Sequence, residues 1–367
     1  MGTISYELIQ IALGNRRQLS RMPTAKEWEE LLDEASSQAV AGVSIAGVDK
    51  LPKDQMPPQM LLLEWIGLSE QIRQHNAHVD KQTAKIWKQL KEDGLDAVIL
   101  KGQGIATLYG DDLGVLRQPG DIDVWVKGGY RTVCDYVQRT RPTDDLAYHR
   151  FHYDCFEDTE VELHHRPTLM RNLLDDRKLA RWYNSFGADS FMYLDDKRFA
   201  VPPVEFNRIF IMTHIYRHFL FEGIGLRQVI DYYFVLKANR GKDKEDVAKI
   251  LKELRLTRFA EAMMWILHEK LGLDERYLIC GMNEKEGRFV LGEIEQTGNF
   301  GHNDKRYRYR YFFKLRRQMA HGAHLILHYP SEVIWTPIWL IYHKVWKWSK
   351  KREIRKLKKQ YHDKTFL

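Results

Sequence analysis

Cysteine is scarce in this chain: Cys134, Cys155 and Cys280 lie far apart and form no Cys-x-x-Cys pair. That spacing argues for a reducing compartment and against a cysteine-bound zinc site. Long apolar runs are lacking too: Val333 to Trp348, rich in Trp, Ile and Tyr, is interrupted by Pro337 and His343 and is too broken for a membrane span. The first residues show no basic region followed by an apolar core, and Tyr6 stands where a myristoylation signal needs a small hydroxyl residue. The expectation is therefore a cytoplasmic protein without a transmembrane segment. Neither an internal repeat nor a low-complexity linker interrupts the 367 residues, a length that suits two or three domains. With 44% hydrophobic and 29% charged residues, the balance is that of an ordinary globular protein.

The chemistry-bearing residues are concentrated between positions 96 and 164. Asp96 to Leu100 is a short apolar run with β-branched residues that ends at Lys101-Gly102-Gln103-Gly104, the pattern of a buried strand entering a tight turn. Ile105, Leu108 and Tyr109 then recur at helical spacing until Gly110. A glycine turn that opens a helix exposes backbone N–H groups, and the position favours an anion such as a triphosphate. Gly102 and Gln103 are the phosphate candidates, with Lys101 beside them.

Arg117-Gln118-Pro119-Gly120-Asp121-Ile122-Asp123-Val124-Trp125-Val126 follows. The alternation of acids with apolar residues predicts a strand with Asp121 and Asp123 on one face. Two neighbouring carboxylates repel unless a cation or a shared proton stabilises them, and magnesium suits one or two carboxylates together with substrate phosphates. On that reasoning, Asp121→Asn or Asp123→Asn should remove metal binding yet hold or raise the stability of the metal-free protein. A two-metal phosphoryl-transfer site needs a third acid. In Glu160-Val161-Glu162-Leu163-His164 the polar residues again share a strand face, and Phe151 to Phe156 reads as the other arm of a hairpin. Glu162 is the preferred third ligand, with Glu160 close behind.

Strand, Lys-Gly turn, short helix, Arg-x-x-Gly-Asp-x-Asp strand and Glu-Leu-His strand together resemble the nucleotidyltransferases of the DNA polymerase β superfamily. Within it the chain resembles a bacterial family of uncharacterised nucleotidyltransferases. The resemblance covers roughly Ala97 to Leu236, including Gly225-Leu226-Arg227-Gln228-Val229-Ile230-Asp231. It implies an α+β fold with an α/β core, in which a small mixed β-sheet is flanked by N-terminal and C-terminal helical regions. It further implies that Gly102 and Gln103 hold the triphosphate and that Asp121, Asp123 and Glu162 bind two Mg2+ ions, with Mn2+ as a substitute. The implied reaction is transfer of a nucleoside monophosphate from an NTP to a small-molecule, protein or RNA acceptor, with release of pyrophosphate. Two departures stand out: Gly-Gln replaces the usual Gly-Ser or Gly-Gly, and Asp111 to Gly120 lengthens the gap between turn and acids. Lys101 is placed to meet phosphate charge. Arg117 is read either as a partner of the leaving group or as a structural partner of the neighbouring acids.

Helical periodicity dominates elsewhere. Ser5 to Leu19, a capped segment opening at Thr24-x-x-Glu27, and a long run from Pro57-Pro58 to Gly94 form the N-terminal part. Arg171 to Phe186 reads as a helix, Tyr193 to Ala200 as one strand, and helices resume at Val204, Asp243 and Phe259. The expected divisions are 1–92 (helical), 93–203 (nucleotidyltransferase core), 204–330 (helical) and 331–367 (aromatic and basic tail). His214 and His218 share a helix face and, with Asp231, are candidates for acceptor binding. Zinc is disfavoured there because no His-Glu-x-x-His frame surrounds them.

The formal charge of +7 is concentrated late in the chain. Lys305 to Arg317 alternates basic and aromatic residues, which suits phosphate contact with base stacking as well as a solvated helix. His321, His324 and His328 follow at helical spacing. Nine Lys or Arg residues then lie between Lys344 and Lys359, beside four tryptophans; the plain reading is a terminal helix docked on the domain with a solvated basic end, and the alternative is contact with an anionic membrane surface or a partner groove. The alternative function is a non-catalytic nucleotide- or RNA-binding protein on the same scaffold.

Overall fold

The structure is a computed structural model that describes residues 1–238, 244–299, 322 and 324–362. Lys305 to Arg317, Asp243 and His321 lie outside the described residues. In chain order the helices and strands are α1 (Thr3–Ala12), α2 (Ala25–Ser37), α3 (Ala41–Val48), α4 (Gln59–Glu92), β1 (Ala97–Ile99), α5 (Gln103–Ala106), α6 (Asp111–Gly114), β2 (Ile122–Val126), α7 (Gly129–Thr140), β3 (Arg150–His152) and β4 (Val161–His164). After them come α8 (Leu173–Asn184), β5 (Met192–Leu194), β6 (Phe199–Val201), α9 (Val204–Phe221), α10 (Leu226–Ala238), α11 (Lys244–Glu253), α12 (Thr257–Glu269), α13 (Glu284–Thr297) and α14 (Pro330–His362). The class is α+β, mostly helical. Two compact units interleave in sequence: one comprises Met1–His78, Ile105–Pro119 and Asn207–His324, the other Val79–Gly104, Gly120–Phe206 and Leu325–Leu367.

In the first unit, α2 begins as its sequence requires: Thr24 Oγ1 accepts from the Glu27 N–H, and the Glu27 carboxylate accepts from the Thr24 N–H. This reciprocal cap satisfies two backbone donors that the first helical turn would otherwise leave open. Helix α1 stops at Ala12, before a left-handed Gly14, rather than continuing to Leu19. Trp28 and Trp65 meet edge to face at 5.9 Å in the core that α1 to α4 share. Gly42 permits α3 to lie directly on the 105–119 segment, because a Cβ there would sit 1.9 Å from the Leu116 carbonyl oxygen. The same segment is tied down by a buried ion pair, in which Arg117 Nε and Nη2 donate to Asp231 Oδ1 and Oδ2 at 2.7 and 2.8 Å. Tyr109 donates a third bond to Asp231 at 2.7 Å.

The second unit holds a four-stranded mixed sheet in the order β1-β2-β4-β3, with β2 and β4 parallel and the outer pairs antiparallel. Alternation decides its faces. Ile99, Ile122, Val124, Val126, Phe151, Val161 and Leu163 join the core with Val79, Ile86 and Leu90 of α4 and Val133 and Val137 of α7. The opposite face carries Asp123, Glu162 and His164. Residues 192 to 201 form a hairpin, β5 and β6, rather than one strand. Asp195 to Arg198 supply the polar turn, with Arg198 in the left-handed region.

Helix α14 closes this unit. Its first turn is anchored by Glu332, whose buried carboxylate accepts the Arg171 and Asn172 N–H groups at 2.7 and 3.0 Å. Burial outweighs these bonds and pushes the carboxyl up to about 7. A carboxyl raised in the folded state binds its proton more tightly there than in the unfolded chain, so stability falls as pH rises from about 4.5 through about 7. Glu332→Gln cannot ionise. Thermal unfolding followed across that interval should therefore show a smaller loss of melting temperature for Glu332→Gln than for the parent; equal slopes would remove Glu332 as the cause.

Candidate active site

The site is built on adjoining strand ends and the turn after β1. Parallel pairing of β2 with β4 sets Asp123 opposite Glu162, and antiparallel pairing of β3 with β4 sets Arg150 opposite His164. Residues opposite one another in a ladder share a face. One carboxylate lies at the centre: Asp123 is 1% exposed, receives His164 Nε2 on Oδ1 at 2.8 Å and faces Lys101 Nζ from Oδ2 at 3.1 Å. Asp121 is partly exposed, and its Oδ2 is 4.0 Å from the same ammonium. Glu162, also buried, meets Arg150 Nε at 2.9 Å and His164 Nε2 at 3.3 Å.

These contacts fix the electrostatics. Burial alone would raise the Asp123 carboxyl, but Lys101 and His164 overcome it and hold the group far below the ordinary carboxylate range. Burial likewise disfavours charge on Lys101 and His164. The surrounding acids more than compensate, so both groups are raised: Asp123, Asp121 and Glu162 act on the lysine, and Asp123 and Glu162 on the histidine. Next to His164, burial with the Arg166 and His164 charges drives His165 down to about 3. Two adjacent histidines are thus shifted in opposite directions, because one faces the acids and the other is packed at 6.1 Å from Phe151 and 6.5 Å from Trp346.

The residues singled out from the sequence are distributed as follows. Asp121, Asp123, Glu162, Lys101, Gly102 and Gln103 all belong to the second unit. Gly102 adopts the left-handed conformation at a φ of 59° and turns the chain into α5. Helix α5 has four residues before tightening at Thr107–Tyr109, so its dipole is small and the backbone N–H groups and Lys101 carry most of the positive potential. The Gln103 side chain donates to Asp80 at 2.5 Å, and Asp80 is also paired with Lys197 at 3.0 Å. Arg117, His214, His218 and Asp231 belong to the first unit. There Arg117 pairs with Asp231 rather than with the neighbouring acids, and the His214 and His218 rings pack at 4.3 Å while His218 Nδ1 lies 2.6 Å from Glu222. Sequence reading passed over Arg150 and gave His164 no role; the register of β3 on β4, with Arg150 opposite His164 and His152 opposite Glu162, is what pairs them.

Two overlapping clusters have the composition of a cation site: Asp123, Glu162 and His164, and Asp121, Glu160 and Glu162, with the candidate donor atoms of each within 4.8 Å of one another. Asp123 Oδ2 is buried and lacks a hydrogen bond of good geometry despite its ion pair. An under-coordinated buried carboxylate oxygen beside further oxygen donors fits a hard divalent ion.

A small mixed sheet thus carries acids on one face beside a glycine turn. The model of the uncharacterised nucleotidyltransferase family matches residues 24–272, more than half of the chain, which therefore belongs to that family. Comparison with curated proteins and with solved structures gave no match.

The network reverses the stability expectation for one of the two aspartates. Neutralising Asp123 deprives the half-buried Lys101 and the buried His164 of their nearest acid, so Asp123→Asn should destabilise the metal-free protein by about 3 kcal/mol. Asp121→Asn, at the rim and farther from Lys101, should change it by about 0.5 kcal/mol or less. Chemical denaturation in the presence of a chelator reads both, and equal effects would mean that Asp123 is not the anchor of the network.

Proposed function

We propose that this chain is a magnesium-dependent nucleotidyltransferase that transfers a nucleoside monophosphate from an NTP to an acceptor and releases pyrophosphate. The observation that carries the reading is the convergence of Asp121, Asp123 and Glu162, whose overlapping clusters share Glu162, in a chain of the nucleotidyltransferase family. Asp121, Asp123 and Glu162 would hold Mg2+, with Mn2+ as a substitute. A divalent ion there supplies Lewis-acid neutralisation of the triphosphate and favours ionisation of the acceptor oxygen.

The protein's own groups do the rest. Gly102, which has no side chain to obstruct the turn, lets the backbone N–H groups at 102 and 103 approach β- and γ-phosphate oxygens. Lys101 holds Asp123 in the resting protein, and a triphosphate gives its ammonium a second anionic partner. Glu162 is the base toward the acceptor proton, and its pairing with Arg150 and His164 keeps the carboxylate in place. Arg117, fixed by Asp231, orients the 105–119 segment in its own unit instead of contacting phosphate.

The test separates Glu162 from Glu160. Glu160 is exposed at the strand entrance, whereas Glu162 is buried beside Asp123. In a magnesium-dependent pyrophosphate-release assay run over the four NTPs, Asp121→Asn, Asp123→Asn and Glu162→Gln should each lower turnover by about a hundredfold or more, while Glu160→Gln keeps most of it. The reverse ranking of the two glutamates would make Glu160 the third ligand. Nucleotide binding with no release by the parent protein would favour the non-catalytic alternative.

A further inference from the structure

Helix α14 is apolar on two sides. Its inward side packs in the second unit: Trp346 lies 4.9 Å from the Tyr148 ring and 5.9 Å from Tyr130, and Ile354 and Leu357 join the core of the sheet. The outward side is also apolar for its first five turns. Ile334, Ile338, Ile341, Val345 and Trp348 are between 49% and 68% exposed, and their spacing of four, three, four and three residues aligns them in one stripe. Continued at the same rhythm, the stripe becomes Arg352, Arg355 and Lys359, all exposed. Leu327, just before the helix, is 83% exposed. Packing of α14 on its own unit needs none of these residues, and a contiguous exposed apolar patch of this kind marks an interaction surface.

We propose that the outward face of α14 docks on the surface of an anionic phospholipid bilayer. The helix would lie in the interface, with Ile334 to Trp348 entering the acyl boundary and Arg352, Arg355 and Lys359 meeting the headgroups. Charge complementarity selects this occupant. In a parallel pairing with a second copy, the same three positions would set like charges against like; an antiparallel pairing would cover the apolar part and leave the basic part without a partner. An anionic lipid surface satisfies both parts at once. Trp348, with the Arg352 guanidinium 5.0 Å above its ring, stands at the boundary where an amphipathic aromatic is most at home. No helix among the described residues is long and apolar enough to cross a membrane, so the attachment is peripheral. The inference does not depend on the transfer chemistry.

Co-sedimentation of the full chain with vesicles of phosphatidylglycerol or of phosphatidylcholine tests it, at low and at high salt. Binding is expected to the anionic vesicles only, weakened by salt. Ile341→Asp with Val345→Asp should reduce partitioning by about a hundredfold, and Arg352→Glu with Arg355→Glu by about tenfold or more. Both pairs are exposed, so the melting temperature should stay at the parent value. Failure to bind anionic vesicles, or binding indifferent to the stripe substitutions, would overturn the proposal. So would light scattering that shows a dimer dissociated by Ile341→Asp, because the face would then belong to a second copy.

Discussion

The arrangement of the acidic face depends on one buried carboxylate. Asp123 is almost inaccessible yet ionised, a state that would cost several kcal/mol without compensation. The compensation comes from Lys101, at the end of the turn after β1, and from His164, at the end of β4. His164 is buried and Lys101 half-buried, and the neighbouring acids, Asp123 first, shift both groups upward against the cost of burial. Three chain segments that are separate in sequence are thereby joined at one point. Sheet pairing then determines what else can stand nearby, since parallel register brings Glu162 beside Asp123 and antiparallel register brings Arg150 beside His164.

The network also clarifies what a divalent ion would have to do in the proposed reaction. A bare cluster of three carboxylates would attract the ion strongly while destabilising the fold by mutual repulsion. Here the repulsion is already answered by the Lys101 ammonium, the His164 ring and the Arg150 guanidinium. An incoming cation would compete with Lys101 for Asp123, and its affinity would be lower by the free energy of that ion pair. In the proposed complex the displaced ammonium is not stranded, because the triphosphate brings its own negative charge into reach. Metal and nucleotide would then favour each other's binding, each relieving the charge imbalance that the other creates.

Much of this was legible from local pattern. Alternation in Ile122 to Val126 and in Glu160 to His164 requires strands, and Thr24 with Glu27 requires a helix start; both follow from chain geometry within a few residues. The glycine turn was readable for the same reason, since Gly102 takes a φ that other residues adopt at a cost. The partners were not readable. Arg117 and Asp231 are 114 residues apart, and no local rule distinguishes an arginine that will meet a distant aspartate from one that will meet its neighbours. The stability expectation for Asp123 changes for a related reason: two acids in one strand look repulsive until Lys101, from the turn after β1, and His164 of β4 are placed around them. Residues 192 to 201 were misread as one strand because apolar residues at both ends outweighed the turn chemistry of Asp195-Asp196-Lys197 between them.

Helix α14 illustrates a different limit of pattern reading. Its sequence is apolar nearly all round in the first half, a signature that ordinarily means full burial or a membrane span. Neither applies, because the helix, which runs through Pro337 without a break, is too polar as a whole to cross a bilayer and is packed on its unit along one side only. What distinguishes the two sides is tertiary. Tyr130, Tyr148 and the core beneath the sheet give Trp346 and Ile354 partners, while nothing among the described residues requires Ile338, Ile341 or Val345 to be apolar for the unit to hold together. A helix that meets its folding requirement with one side retains a second side whose composition answers to something outside the fold. The change from apolar to basic along that side, at constant rhythm, matches a boundary between hydrocarbon and anionic headgroups better than it matches any surface of uniform character.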